Sequence, residues 1–289
     1  MTIALGLAVE SEVLLMNSYE NITYEAADHV AQITLNRPAR LNALNKASLQ
    51  EINRAMDQAE GDAEVRVIVV SGMGRAFSSG YDLKAQMEQR PEGDQAWREI
   101  LDLDFDTTMR FWNSPKPTIA AVHGACLAGA FELAMACDIT IASEDATFGE
   151  PELKFGAGIV TMLLPWMTSP KQAKRIILSA DDRIPARDAL AMGLVSRVVE
   201  NGRHLEQALR TARGIALMDP NLVGETKKAL NRTYEIQGMP VALKVALDID
   251  HAIESHGSPD KRAFMDVARE RGMREAIAWR DARFAKSQA

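Results

Sequence analysis

The chain has 289 residues, of which 47% are hydrophobic, so its composition supports a large buried core and argues against disorder. The formal net charge of -7 and the isoelectric point near 5.4 disfavour nucleic acid as the main partner, because such binding depends on Lys and Arg that neutralise phosphates. The five histidines form no metal-binding cluster with the two cysteines, Cys126 and Cys137. We therefore expect no metal site and two buried thiols in a reducing compartment.

The N-terminal segment carries no Lys or Arg before Arg37, unlike the basic start of a signal peptide or the Arg-rich sequence of a transit peptide. Glu132 and Asp138 interrupt the longest apolar run, which is then too short to span a membrane. These features predict a soluble cytoplasmic protein without a membrane partner. Residues 1–18 are expected to form a loosely ordered extension.

Strand and helix patterns alternate along the first two thirds of the chain. Runs of β-branched residues predict strands, and spacings of three and four between apolar residues predict amphipathic helices. The strands are expected at 29–35, 65–72, within 114–124, and at 138–143 and 194–200, and the helices at 48–60, about 94–112, from Ser169 onward and in a short segment before Gly193. Residues 146–156 are expected to be extended. The alternation predicts an α/β core.

No strand signal follows residue 203, and helical patterns fill the rest of the chain. We therefore divide the sequence into the extension 1–18, an α/β core over 19–205 and a C-terminal helical region over 206–289. The helical region either packs on the core or binds another subunit, and periodicity does not distinguish these two arrangements.

Glu132 is the one carboxylate in the middle of "HGACLAGAFELAMACD", residues 123–138, which is apolar almost throughout. A carboxylate buried there is costly unless it is paired, protonated or used in chemistry. Gly129 opens the helix that carries Glu132, and its N–H group could bind an oxygen that becomes negative. The simpler alternative is that Glu132 only complements the helix dipole.

A second acidic candidate is Glu152 in "FGEPEL", twenty residues after Glu132 and across one strand. Two carboxyl groups around one water can divide acid and base roles, because each raises the proton affinity of the other. Glu150 competes for the same role, and spacing alone does not separate the two residues.

Five segments in this order resemble the crotonase superfamily, which comprises the enoyl-CoA hydratases and isomerases. They are "ITLNRPARLNALN", "GRAFSSGYDLK", "PKPTIAAVHGACLAGAFELAMACDITIAS", "ATFGEPELKFG" and "DRIPARDALAMGLVSRVV". The resemblance implies an α/β fold in which β-β-α units form a spiral core, followed by a C-terminal helical oligomerisation region that builds homotrimers, often paired into hexamers. It also implies an acyl-CoA thioester as the substrate.

By motif matching, the backbone N–H groups of Tyr81 and Gly129 would form an oxyanion hole for the thioester oxygen. The catalytic pair of the hydratases would be Glu132 and Glu152, so the resemblance selects Glu152 over Glu150. The reaction implied is the addition of water across the 2,3 double bond of a trans-2-enoyl-CoA. The residues matched to CoA binding are Arg40, Asp82, Leu83 and Lys84. No cofactor is expected besides the CoA of the substrate.

The loop after Glu152 departs from the hydratase pattern. The usual Pro-Gly-Ala-Gly-Gly-Thr is replaced by "LKFGAGIVTMLLPWM", and Tyr81 stands where alanine is usual. These changes keep another crotonase reaction open, either double-bond isomerisation or thioester hydrolysis. A non-catalytic or RNA-binding module is a further alternative, which the acidic composition disfavours.

Overall fold

The structure is a computed structural model that describes residues 19–89, 91 and 93–285. The predicted loosely ordered extension, 1–18, lies outside these residues. Within them, no helix combines the length and the apolar character that a membrane crossing requires.

Two sheets are formed by strands whose order differs from their order in the chain. In the larger sheet the order is β1-β2-β3-β4-β6-β9, with β1 and β2 antiparallel and the other neighbours parallel. The smaller sheet has the order β5-β7-β8. The strands of the described residues are β1 Ile22–Ala27, β2 Val30–Leu35, β3 Val67–Gly72, β4 Thr118–Val122, β5 Ala125–Leu127, β6 Ile139–Ser143, β7 Thr147–Gly149, β8 Ile184–Pro185 and β9 Arg197–Val199.

Helices connect the strands and fill the C-terminal part of the described chain. They are α1 Lys46–Gly61, α2 Leu83–Gln89, α3 Gly93–Asn113, α4 Gly129–Ala136, α5 Glu152–Phe155, α6 Leu164–Met167, α7 Pro170–Leu178, α8 Ala186–Ala191, α9 His204–Ala216, α10 Pro220–Ile236, α11 Met239–His256, α12 Pro259–Arg271 and α13 Met273–Ala285. Ser169 accepts a hydrogen bond from the Gln172 amide, and Pro170 occupies the first position of α7, in agreement with the helix predicted from Ser169 onward.

Consecutive residues of the central strand β3 are buried. Because successive side chains of a strand point to opposite sides, both faces of β3 are covered. Ile68 and Val70 belong to the larger core, which also includes buried residues of α1 and α4. Val67 and Val69 pack with Ala208 of α9 in a second core. Part of the C-terminal helical region therefore covers the sheet. The proposed division of the chain at residue 205, which falls within α9, stays a prediction.

Two local predictions differ from the structure. Strand β1 has no counterpart among the predicted strands, because its "ITYEAA" has only one buried residue, Ile22, and gains its backbone partners from β2. Residues 146–156 form β7 and then the single turn of α5 rather than one extended segment. Pro151 begins that turn, and Gly156 ends it in the left-handed conformation, which glycine adopts without strain.

A stacked pair of imidazoles makes stability depend on pH. The ring centroids of His123 and His204 lie 4.5 Å apart. Burial, and to a smaller extent the neighbouring His123, lower the pKa of His204 from 6.5 to about 4. Between these two pKa values the unfolded chain binds more protons than the folded chain, so stability is lost as the pH falls through this range.

We expect the free energy of unfolding to fall by about 1 kcal/mol from this site between pH 7 and pH 5, a value reduced because His204 is only half buried. His204→Phe keeps a stacked ring and removes the titration, so the variant should lose less stability over this range. Urea unfolding of both proteins at the two pH values measures the difference. Equal losses in the two proteins would contradict the prediction.

Candidate active site

Two turns, one containing Gly80 and the other containing Gly129, meet at the end of β5. Strand β5 pairs with β7, and Cys126 in β5 forms an isolated bridge with Ser78. Gly80 has a φ of +88°, and a Cβ atom there would lie 2.6 Å from the Ala128 Cβ and 2.8 Å from the Leu127 carbonyl oxygen. Glycine at this position therefore allows the two backbones to touch.

Tyr81, which follows Gly80, and Gly129, which follows Ala128, carry free amides. Among the described residues, neither the Tyr81 N–H nor the Gly129 N–H has a hydrogen-bond acceptor, and Gly129 is the first residue of α4. The Tyr81 ring packs directly against Gly129, where a Cβ atom would overlap it. Two unpaired donors at one place, one of them at the positive end of a helix, can stabilise a developing negative charge.

Ala128, which precedes Gly129, has φ 55° and ψ -137°, a conformation that residues with a Cβ rarely adopt. Ala128→Gly should therefore raise the free energy of unfolding by about 1 kcal/mol, measured by urea denaturation. Ala130→Gly is the matched control, because Ala130 lies inside α4 and glycine should destabilise that helix by a similar amount. Destabilisation by both substitutions would contradict strain at Ala128.

Three glutamates converge beside these amides. One carboxyl oxygen from each of Glu132, Glu150 and Glu152 lies within 4.8 Å of the others. Glu132 is fully buried, and neither of its carboxyl oxygens has a hydrogen-bond partner among the described residues. Such a cluster can share protons or hold a divalent cation.

Burial dominates the protonation of the cluster. It raises the pKa of Glu132 well above its ordinary value, and the Glu152 carboxyl raises it further. Thr161 opposes that rise, although its hydroxyl does not reach full hydrogen-bond geometry. Burial also raises the pKa of Glu152 to about 8, against the opposing effects of its own amide and of Glu150. The carboxyl groups therefore hold protons more tightly than free glutamates do, and they titrate jointly.

A cavity of about 520 Å³ opens beside the cluster. Tyr81 and Glu152 line it, whereas Gly129, Glu132 and Glu150 do not. Its wall also contains all four residues matched to CoA binding, which are Arg40, Asp82, Leu83 and Lys84. The structure thus brings the predicted site residues to one region. Asp82 is additionally held by an ion pair of 2.9 Å to Arg37, which fixes the loop after Tyr81.

The acidic residues of this cavity that sequence reasoning missed include Asp104 and Asp250. Both occupy the buried face of an amphipathic helix, α3 and α11 respectively. A carboxylate at a core position of the helical repeat was the available signal, the same signal that identified Glu132. The repeat does not reveal what such a residue faces.

A family model described as "Enoyl-CoA hydratase/isomerase" matches residues 25–264. The chain belongs to the enoyl-CoA hydratase/isomerase family. A short-chain-enoyl-CoA hydratase of Clostridium acetobutylicum is 37% identical over 219 residues, which cover 73% of this chain and 81% of the relative.

Solved structures agree with this family assignment. An enoyl-CoA hydratase/isomerase from Xanthobacter autotrophicus Py2 is 64% identical, with a TM-score of 0.91 over 92% of this chain and 99% of that chain. An enoyl-CoA hydratase from Mycobacterium smegmatis is 28% identical, with a TM-score of 0.85 over 92% of this chain and 95% of that chain. The predictions of a crotonase-like α/β fold and of a crotonase-type enzyme are confirmed.

Proposed function

We propose that the enzyme adds water across the 2,3 double bond of a trans-2-enoyl-CoA. The observation that carries the proposal is the convergence of the buried Glu132 and the half-buried Glu152 beside the two unpaired amides of Tyr81 and Gly129. The names of the relatives support the same reaction. A site of this kind combines proton transfer with stabilisation of an oxyanion.

In the proposed mechanism the thioester oxygen accepts hydrogen bonds from the Tyr81 and Gly129 amides. A water oxygen bonds to the β-carbon, and the electron pair of the double bond moves toward the thioester to give an enolate. One glutamate takes a proton from the water, and the α-carbon receives a proton from the carboxyl pair. Each aimed amide is worth about 3 kcal/mol in the transition state. The pair titrates jointly, so we assign neither proton to one residue.

The CoA portion is proposed to bind along the cavity wall at Arg40, Asp82, Leu83 and Lys84. Arg40 and Lys84 supply positive charge for phosphate groups, while Asp82 is held by Arg37 and positions the loop. The chemistry requires only carboxyl groups, amides and water. We therefore propose that the enzyme uses no cofactor besides the CoA of its substrate, and that the glutamate cluster holds protons rather than a cation.

A product assay with a panel of acyl-CoA thioesters tests the reaction. Hydration of 2-enoyl-CoA to 3-hydroxyacyl-CoA is the expected result. Conversion of 3-enoyl-CoA to 2-enoyl-CoA without water addition would favour isomerisation, and release of free CoA would favour hydrolysis. Either outcome, in the absence of hydration, would contradict the proposed function.

We propose that the chain forms homotrimers, or hexamers made of two trimers. An exposed apolar stripe runs along α11 at intervals of four residues, which places its members on one helix face. It consists of Val241, Val245, Ile249 and Ile253, with exposed fractions of 69%, 53%, 59% and 39%. A continuous apolar face of this kind is typical of an interface, and we assign it to a second copy of this chain. The proposal that three copies assemble, rather than two, comes from the family resemblance.

Sedimentation equilibrium tests this assembly. Val245→Glu should shift the protein toward monomers, whereas Lys244→Glu places the same charge one residue away and off the stripe. Dissociation by neither substitution would contradict the assignment of the stripe.

We also propose a cytoplasmic location, which is consistent with the two buried free thiols of Cys126 and Cys137.

A further inference from the structure

A second acidic group lies in the cavity, separate from the glutamate cluster. Asp104 on α3 and Asp250 on α11 both line the cavity, and their side chains come from helices that pack against each other. Their exposed fractions are 7% and 2%. Neither carboxyl oxygen of Asp250 has a hydrogen-bond partner among the described residues. An unpartnered carboxyl group buried to this extent beside open space is costly unless a ligand pairs with it.

The positions of both residues are ordinary core positions. Asp104 continues the buried face that Leu101 and Thr108 form on α3, and Asp250 follows Leu243 and Leu247 on α11. Leucine at either site would bury apolar area without any desolvation cost. Packing alone therefore gives no reason for two acids in these positions.

The surroundings of the two acids suit an acyl chain. Leu101, Val160 and Leu247 form a small buried apolar cluster, and the partly buried Tyr81 packs against it. Asp250 lies directly against Gly158, where a Cβ atom would overlap its carboxyl oxygen. The altered loop after Glu152 thus holds Asp250 close to the proposed site. An acyl chain extending from the amides of Tyr81 and Gly129 would have apolar walls and a polar region at the two aspartates.

We propose that Asp104 and Asp250 form a subsite for a hydroxyl group on the acyl chain of the substrate. The inference rests on the proposed acyl-CoA function and adds a class of acyl group to it. A hydroxyl group donates one hydrogen bond and accepts another, so it can pair with one ionised and one protonated carboxyl group.

Charge favours this ligand over the alternatives. Burial raises the pKa of Asp104 well above its ordinary value, and Asp250 raises it further. Burial raises the pKa of Asp250 to about 6, while the neighbouring Lys261 and His251 oppose that rise. Two buried acids with raised pKa values favour sharing a proton over carrying two negative charges, which suits a neutral hydroxyl better than an ammonium group. A carboxylate on the acyl chain would be repelled, and a terminal methyl group would leave Asp250 unpaired.

The test compares pairs of trans-2-enoyl-CoA thioesters that differ only in a terminal hydroxyl, over a series of chain lengths. At the best length the wild-type enzyme should prefer the hydroxylated substrate by about tenfold in kcat/KM, the effect of one hydrogen bond to a charged group. Asp104→Ala and Asp250→Ala should each remove most of that preference. Asp104→Asn keeps hydrogen-bonding atoms and should retain part of it, which separates a lost contact from a folding defect.

Matched controls exist on the same two helices. Asp106→Ala on α3 and Asp248→Ala on α11 remove carboxylates that do not line the cavity, and both should retain the full preference. Equal kcat/KM values for the two substrates at every length would overturn the subsite, as would an undiminished preference in both alanine variants of the pair.

Failure of the proposed reaction has a different signature. Calorimetry with the corresponding saturated thioesters measures the same preference as binding, without turnover. A preference in binding with no hydration of any enoyl-CoA would overturn the hydratase proposal and support the subsite. Hydration of unsubstituted thioesters with no preference in binding would support the hydratase proposal and overturn the subsite. Absence of any binding would overturn both.

Discussion

Glu132→Gln is expected to lower kcat/KM for hydration of crotonyl-CoA by about a thousandfold, the typical contribution of a positioned acid or base. The substitution keeps the size and hydrogen-bonding atoms of the side chain but removes its exchangeable carboxyl proton. Glu132 is fully buried, and neither of its carboxyl oxygens has a hydrogen-bond partner among the described residues. A coupled spectrophotometric assay at saturating and limiting substrate separates kcat from KM.

Glu152→Gln is expected to have a comparable effect, because Glu152 lines the cavity where the substrate is proposed to bind. Glu150→Gln provides the matched control. Glu150 lies in the same cluster, the family resemblance assigns it no catalytic role, and glutamine can still contact Glu152. Glu150→Gln should therefore lower kcat/KM by about tenfold or less. Full activity of either the Glu132 or the Glu152 variant would contradict the two-carboxylate mechanism, and a severe loss confined to Glu150→Gln would reassign the second role.

The long elements of the fold were predictable because their signals are local. The β-branched run in β3 and the helical spacing in α1 and α3 each lie within one segment of sequence. The short strands β5, β7 and β8 have two or three residues each, and their stability comes from pairing across the chain. Periodicity carries no information about such pairing, so the smaller sheet was not predicted.

The residues of the candidate site also differ in how far the sequence could predict them. Glu132 was conspicuous because it interrupts an apolar run, and the resemblance placed Glu152 and the two amides. The convergence of these groups follows from the pairing of β5 with β7. Asp250 lies 98 residues after Glu152 in the sequence, and only the packing of α11 on α3 brings it into the cavity. Residues contributed by a distant helix in this way have no local signature.

Gly129→Pro is expected to lower kcat by about a hundredfold to a thousandfold, because proline removes the N–H group proposed to hold the enolate oxygen. The first position of a helix tolerates proline, since its N–H has no partner within the helix. Gly129 occupies that position in α4, so the helix should still form.

Any substitution of Gly129 also introduces a Cβ atom that meets the Tyr81 ring, and this steric effect must be separated from loss of the amide. Gly129→Ala adds the same Cβ atom and keeps the N–H group. The alanine variant therefore measures the cost of displacing Tyr81, and the ratio of kcat between the alanine and proline variants measures the amide. Thermal unfolding midpoints within a few degrees of each other would show that both variants fold. Equal kcat values in the two folded variants would mean that the Gly129 amide does not stabilise the transition state, and the oxyanion would then need another donor.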